Sequence, residues 1–215
     1  MKVELVDYDT IEKIVKAARV SHGSESDRMG SSDKSLLRKL IQLRHESVFE
    51  HCTYTFKIEG ISRALLQELV RHRIASYTVR STRFTLKDIV KNKDIEKAED
   101  LSDFKKIVER YCVVPDLSEE ALNEFYTGTA VCLKNVYKFI SEYKLPNDIV
   151  KYLLPESFKT ELMMSINVRS FRNFLQLRAS KKALWEIKAL ALEMYEVIPE
   201  NHHILYEDLN LPQSE

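Results

Sequence analysis

The sequence predicts an α+β fold: a helix-dominated single domain over residues 1–215, with a small, mostly antiparallel sheet. Two patterns and the composition carry that reading. Short segments such as KVELV, TYTFKIEG and TELMMSI alternate apolar and polar residues with the period of a half-buried strand. Longer stretches repeat apolar residues every three to four positions, as amphipathic helices do. With 44% hydrophobic and 31% charged residues in 215, the composition is globular and the chain is long enough to bury a core of its own.

The elements follow in order. KVELV is a short strand, and Thr10 caps the amphipathic helix IEKIVKAARV. SHGSESDRMGSSDK reads as a polar loop, and residues 34–45 as a helix. TYTFKIEG is a strand ending at Gly60, after which Ser62 is the N-cap of a helix SRALLQELVRHR that runs through Arg73. Residues 87–116 are rich in Lys, Asp and Glu and end at Pro115, which suits a surface excursion more than core. Helical periodicity returns over 119–143, pauses at Pro146 and resumes in NDIVKYLL up to Pro155. TELMMSI is a strand, and helices over 167–179 and 182–197 complete the pattern, with no internal repeat and no low-complexity tract.

Charge and punctuation exclude several classes. The 33 Lys and Arg balance the 33 Asp and Glu, so any attraction for an anion has to be local. Only Gly23, Gly30, Gly60 and Gly128 occur, which rules out a GxGxxG turn or a GxxxxGK phosphate loop. Cys52, Cys112 and Cys132 lack metal or disulfide spacing and suit a reducing cytosol. MKVELVDYDT is no signal peptide, and no run approaches the roughly 20 apolar residues of a membrane span, so the expectation is a cytoplasmic protein without membrane contact.

Two arginine-bearing segments stand out. Residues 63–83 hold five Arg against one acid, Glu68. On a helix continuing through Arg73, His72 and Arg73 share the side of Leu65, Leu66 and Leu69, while Arg71 points away with Gln67 and Glu68. Cations complement a helix C-terminus, but two cationic groups in an apolar sector call for a carboxylate or an anionic ligand. In NVRSFRNFLQLRAS, Asn167, Phe171, Phe174 and Arg178 fall on one face, and Arg169, Asn173 and Gln176 on another. Arg178 either snorkels to a distant carboxylate or presents its planar fork to a bound heterocycle or carbonyl.

Other candidates carry less. His45, Glu50, His51 and Cys52 fit no standard metal motif, so no metal is expected. Cys52 lacks the neighbours of an activated nucleophile. His202 and His203 read most simply as surface or interface. An alternative from another class is a nucleic-acid-binding module using the two Arg-rich helices, weakened by zero net charge and little aromatic interleaving. A flavodoxin-like redox protein is disfavoured by the missing glycine-rich turn.

RHRIASYTVRS resembles the signature of the flavin-dependent thymidylate synthases, the family unrelated to the cysteine-based synthase. AARVSHG at 17–23, HESVFEH at 45–51 and NVRSFRNFLQLRASKKALWEI at 167–187 resemble that family's segments in the same order, and the resemblance leaves out 87–145, which it marks as a variable, peripheral helical excursion within the domain. The resemblance implies a flavoprotein methyltransferase of dTMP biosynthesis, converting dUMP to dTMP with FAD. Methylenetetrahydrofolate would donate the carbon, and a reduced nicotinamide, NADPH or NADH, the electrons. It also implies a homotetramer with active sites at subunit interfaces.

By position, the resemblance assigns Arg71, His72 and Arg73 to FAD, with Arg71 and Glu68 near the nucleotide. Ser47, Asn167, Val168, Arg169 and Asn173 would complete the flavin site. Ser81, Thr82 and Arg83 would grip the dUMP phosphate, helped by Lys151, and Arg178 would be the catalytic group at the uracil ring. Glu68 stands where the family often has Gln, Val79 where Glu is usual, Thr82 where Gly is common and Lys151 where Arg is common.

Overall fold

The computed structural model describes residues 1–22 and 31–212. Strand β1 (Lys2–Tyr8) leads to helices α1 (Glu12–His22) and α2 (Ser31–Gln42), a 3-10 segment at Glu46–His51 and strand β2 (Thr53–Ser62). Next come helix α3 (Arg63–Leu69), strand β3 (Ala75–Val79) and helices α4 (Thr82–Lys91), α5 (Asp94–Lys97), α6 (Leu101–Tyr111) and α7 (Glu119–Ser141). Helix α8 (Asn147–Val150), a 3-10 turn at Lys151–Leu153 and strand β4 (Lys159–Asn167) follow. Helices α9 (Val168–Arg178) and α10 (Trp185–Glu196) and a 3-10 segment at Glu200–Leu209 close the order. Most of the polar loop expected over 21–34 lies outside the described residues; of its flanks, α1 extends to His22 and α2 begins at Ser31.

The strands form one sheet in the order β1-β2-β4-β3, with β1 antiparallel to β2. The helix-rich α+β architecture with a small antiparallel sheet is therefore the one the sequence leads to. Strand β2 runs two residues beyond Gly60, whose φ of 74° lies in the region that only glycine adopts freely.

The chain divides into two compact units, Met1–Glu59 with Glu68–Thr78 and Leu162–Glu215, and Gly60–Gln67 with Val79–Glu161. In the first, β2 buries Tyr54, Phe56 and Ile58 and β4 buries Leu162, Met164 and Ile166, the alternate positions that a period of two places on one face. Phe171 of α9 packs among them, its ring centroid 5.6 Å from those of Tyr54, Phe56 and Tyr206. A buried phenylalanine of this kind is worth about 3–5 kcal/mol against alanine. His202 is part of the same core and not of the surface: it is buried, with Nδ1 3.0 Å from the Tyr54 hydroxyl. The doublet of histidines gave no periodicity from which that inward turn could be read.

The second unit has its own core. α7 buries Tyr126, Ala130, Leu133, Val136 and Tyr137, a stripe at helical spacing, and α6 packs on it with Ile107, Val108 and Tyr111. The 87–116 stretch thus supplies core residues, Ile89 and Ile95 among them, where its charge suggested surface. Lys106, Glu109 and Arg110 of α6 are exposed while Ile107, Val108 and Tyr111 are buried. Average composition hides that amphipathic division.

Candidate functional site

Ser62 caps α3 as expected, its Oγ accepting from the Leu65 amide at 2.9 Å. The helix stops at Leu69 and does not continue to Arg73. Tyr77 of β3 accounts for the stop: its hydroxyl lies 3.0 Å from the Leu69 carbonyl and 2.8 Å from the His72 carbonyl, fixing the intervening residues as a turn. The helical disposition expected for Arg71, His72 and Arg73 therefore does not apply, and only one of the two supposed Arg-rich helices exists in that form. Strand β3 itself went unread, although ASYTV has the aromatic and β-branched content of a strand.

α9 presents the second half of this site. Asn167 is its N-cap, with Oδ1 accepting from the Ser170 amide at 2.8 Å. Phe171 and Phe174 are buried as the stripe predicts, and Arg178 at the far end is mostly shielded. Its Nε donates to His72 Nε2 at 3.0 Å, and Nη1 reaches the Glu68 carboxylate at 3.1 Å. The His72 ring stands edge-on to Phe174, 4.9 Å between centroids. Burial first, and the Arg178 charge second, hold the His72 pKa below its ordinary 6.5, which keeps Nε2 a free acceptor for Arg178.

A cavity of about 790 Å³ in the first unit brings together Arg71, His72, Arg73, Arg169, Asn173 and Arg178. Five arginines line it, counting Arg172, against Glu46 and Glu50. Arg169 pairs with Glu50 at 2.6 Å and Arg71 with Glu68 at 3.4 Å. Arg73 is exposed, and among the described residues no carboxylate is within ion-pair distance of it. Four of the five arginines are thus paired with carboxylates, and Arg73 is left as the forked donor that suits a phosphate-bearing ligand. Ser47, Glu68, Asn167 and Val168 are not among its lining residues. Ser47 is exposed on the 3-10 segment, the Asn167 oxygen is occupied by its cap, and the Val168 side chain is in the core.

Arg172 is the residue that sequence reasoning missed. It is 5% exposed and pairs through both terminal nitrogens with Asp208 at 2.8 Å, with Glu46 at 3.4 Å and with the Leu205 carbonyl. A signal was present: Val168, Arg172, Leu175 and Ala179 fall at i, i+4, i+7 and i+11, so an arginine interrupts a buried stripe.

The second unit holds the candidates for the nucleotide phosphate, Ser81, Thr82, Arg83 and Lys151. Ser81 caps α4, its Oγ 3.4 Å from the Arg83 amide, a helix that the sequence reading did not place. Arg83 Nε lies 2.8 Å and Lys151 Nζ 3.9 Å from the same Asp148 oxygen, and Asn147 donates to the Arg83 carbonyl at 3.0 Å. Arg80 is held by Asp88 at 3.0 Å and Glu161 at 3.3 Å. Ser81, Thr82, Arg83 and Lys151 thus cluster at the start of a ten-residue helix, whose amides and dipole favour an anion. Cys52 is buried and its thiol is pushed up to about 12 by that burial, far from a thiolate nucleophile at neutral pH.

A cavity of about 790 Å³ lined by guanidinium donors, and a helix start that favours an anion, both suit phosphorylated ligands. Residues 4–202 match the family model of the thymidylate synthase complementing protein. The flavin-dependent thymidylate synthase of Wolinella succinogenes is 39% identical over 209 residues, covering 96% of this chain and 97% of that one. That of Helicobacter pylori is 40% identical over 185 residues, 85% of each chain. A crystal structure of the Helicobacter pylori enzyme with FAD and dUMP superposes with a TM-score of 0.85 at 36% identity, over 97% of this chain and 98% of that one. The chain belongs to the flavin-dependent thymidylate synthases, enzymes of the methyl-transferring kind.

Proposed function

We propose that the protein is an FAD-dependent thymidylate synthase that converts dUMP to dTMP. 5,10-Methylenetetrahydrofolate donates the carbon, NAD(P)H the reducing equivalents, and tetrahydrofolate is released. The observation that carries this reading is the arginine-lined cavity in a chain so similar to an enzyme solved with FAD and dUMP. The residues present fit FAD. Its phosphates would need cationic donors, which Arg73, with no carboxylate within ion-pair distance among the described residues, would supply, and Arg71, Arg169 and Asn173 line the same cavity and would hold it as well. FAD supplies the hydride-transfer chemistry that no side chain has.

The chain's own groups bind and polarise. Arg178, mostly shielded beside Phe174, stabilises negative charge on the uracil carbonyl as the 5-carbon becomes electron-rich, a role typically worth roughly 3 kcal/mol. Ser81, Thr82 and Arg83 at the start of α4, with Lys151, hold the nucleotide phosphate. Ser81 binds and does not attack: its hydroxyl is engaged at the helix cap, and among the described residues no histidine is hydrogen-bonded to it. His72 and Asn173, which line the cavity, serve the flavin, whereas Ser47, Asn167 and Val168 lie outside its lining and have only the family resemblance to support a flavin role. The enzyme works as a cytoplasmic homotetramer with sites shared between chains.

The test is the purified protein itself. It should be yellow, with flavin absorbance that Arg73→Ala diminishes, and it should bind dUMP. A colourless protein that takes up no added FAD and binds nucleic acid with a steep salt dependence would overturn the reading.

A further inference from the structure

Three protein acceptors engage Arg178, one at each of its guanidinium nitrogens. Nε donates to His72 Nε2 at 3.0 Å, Nη1 to Glu68 Oε2 at 3.1 Å, and Nη2 to the Glu68 carbonyl at 3.4 Å. The other Glu68 oxygen, Oε1, lies 3.4 Å from Arg71 Nη1. The Arg178 side chain is 20% exposed and that of Glu68 28%, so the pairing is largely shielded from water.

A guanidinium has five N–H groups. His72 and Glu68 account for three, leaving two for a ligand, one on each terminal nitrogen. A free arginine side chain carries rotamer entropy, which a ligand would have to overcome on binding. An arginine already held by its neighbours has lost most of that freedom. A carboxylate is an acceptor only, and it would repel a pyrimidine oxygen that is gaining negative charge. Its favourable place is against the guanidinium.

We propose that Glu68 is a positioning residue. It acts on the nucleotide through Arg178, fixing the guanidinium plane together with His72, and it makes no contact with the nucleotide itself. The inference rests on the proposed function for the identity of the ligand, and it redefines Glu68, which the family resemblance set beside the nucleotide. A glutamine at this position keeps an oxygen for Nη1 and therefore keeps the geometry. An aspartate keeps the charge but is one methylene too short to reach.

The test is a double-mutant cycle read as dUMP affinity of the flavin-loaded protein by isothermal titration. Glu68→Ala should weaken dUMP binding about tenfold, and Glu68→Gln should stay within about threefold of wild type. In the Arg178→Ala background, Glu68→Ala should add nothing further. Glu68→Asp, which preserves charge and surface, should behave as Glu68→Ala and carries the same cycle if the alanine variant does not fold. Equal weakening by Glu68→Ala in both backgrounds would mean direct contact and overturn the inference. Unchanged or tighter binding by Glu68→Ala would overturn it as well. A wild-type protein that binds no dUMP would instead overturn the functional reading, and this inference with it.

Discussion

Arg172 and Asp208 form a two-point fork, Nη1 to Oδ1 and Nη2 to Oδ2 both at 2.8 Å, joining α9 to the 3-10 segment at Glu200–Leu209. Arg172 is buried whereas the Asp208 side chain is 43% exposed, so the two ends of the pair are not equivalent. Removing the arginine leaves Glu46 and the Leu205 carbonyl without their donor; removing the acid leaves those two acceptors in place. Arg172→Ala should cost about 3–5 kcal/mol and Asp208→Asn about 1–2 kcal/mol in urea denaturation. Equal losses from the two variants would refute that asymmetry.

His202 makes stability depend on pH. Its pKa falls from 6.5 to about 4, mainly through burial, so the unfolded chain binds the proton more readily than the folded one. Stability is then complete above pH 6.5 and declines as pH falls towards 4, by about 2 kcal/mol after allowance for partial solvation. His202→Gln, whose side chain does not titrate, should flatten that decline in thermal melts between these pH values. A decline of undiminished size in the variant would assign it to other groups.

Ser81 serves binding in this account. Ser81→Ala removes the α4 cap, at a cost of about 1 kcal/mol, and one phosphate contact. It should raise the dUMP KM about tenfold while measurable turnover persists at saturating nucleotide, whereas Arg178→Ala should lose turnover more severely. Intact-mass analysis during turnover should find no nucleotide attached to Ser81; a trapped adduct, or complete loss of turnover in a folded, flavin-loaded variant, would contradict the assignment.

Subunit sharing can be tested by mixing two variants that each lack a different part of the site. Arg73 and Arg178 line one cavity of a single chain, so they cannot report on a boundary between chains. Arg83 belongs to the second unit and Arg178 to the first. If each site combines the first unit of one chain with the second unit of another, equal mixing of Arg83→Ala and Arg178→Ala should restore about a quarter of wild-type activity. Sites built within one chain would give no restoration.

What the sequence made legible was periodicity. The alternation of TYTFKIEG and TELMMSI became β2 and β4 with the expected faces buried, and the Phe171 and Phe174 stripe became the core of α9. Ser62 was readable as a cap because its chemistry is local. The end of α3 was not, because Tyr77 fixes it through a tertiary hydrogen bond from the following strand. The partners of the arginines escaped for the same reason: Arg178 meets Glu68 from 110 positions away, and Arg172 meets Asp208 from a segment without helical periodicity. Charge counted along the chain found the cations and could not see the carboxylates that fold back onto them.

The most direct measurement is dTMP formation by the purified, FAD-loaded protein given dUMP, methylenetetrahydrofolate and NADPH, with each omitted in turn. The account expects dTMP and tetrahydrofolate in equal amounts, turnover abolished by omission of any one component, and turnover largely lost in Arg178→Ala. No dTMP from a folded, flavin-loaded wild-type protein, or dTMP formed equally well without reductant, would contradict it.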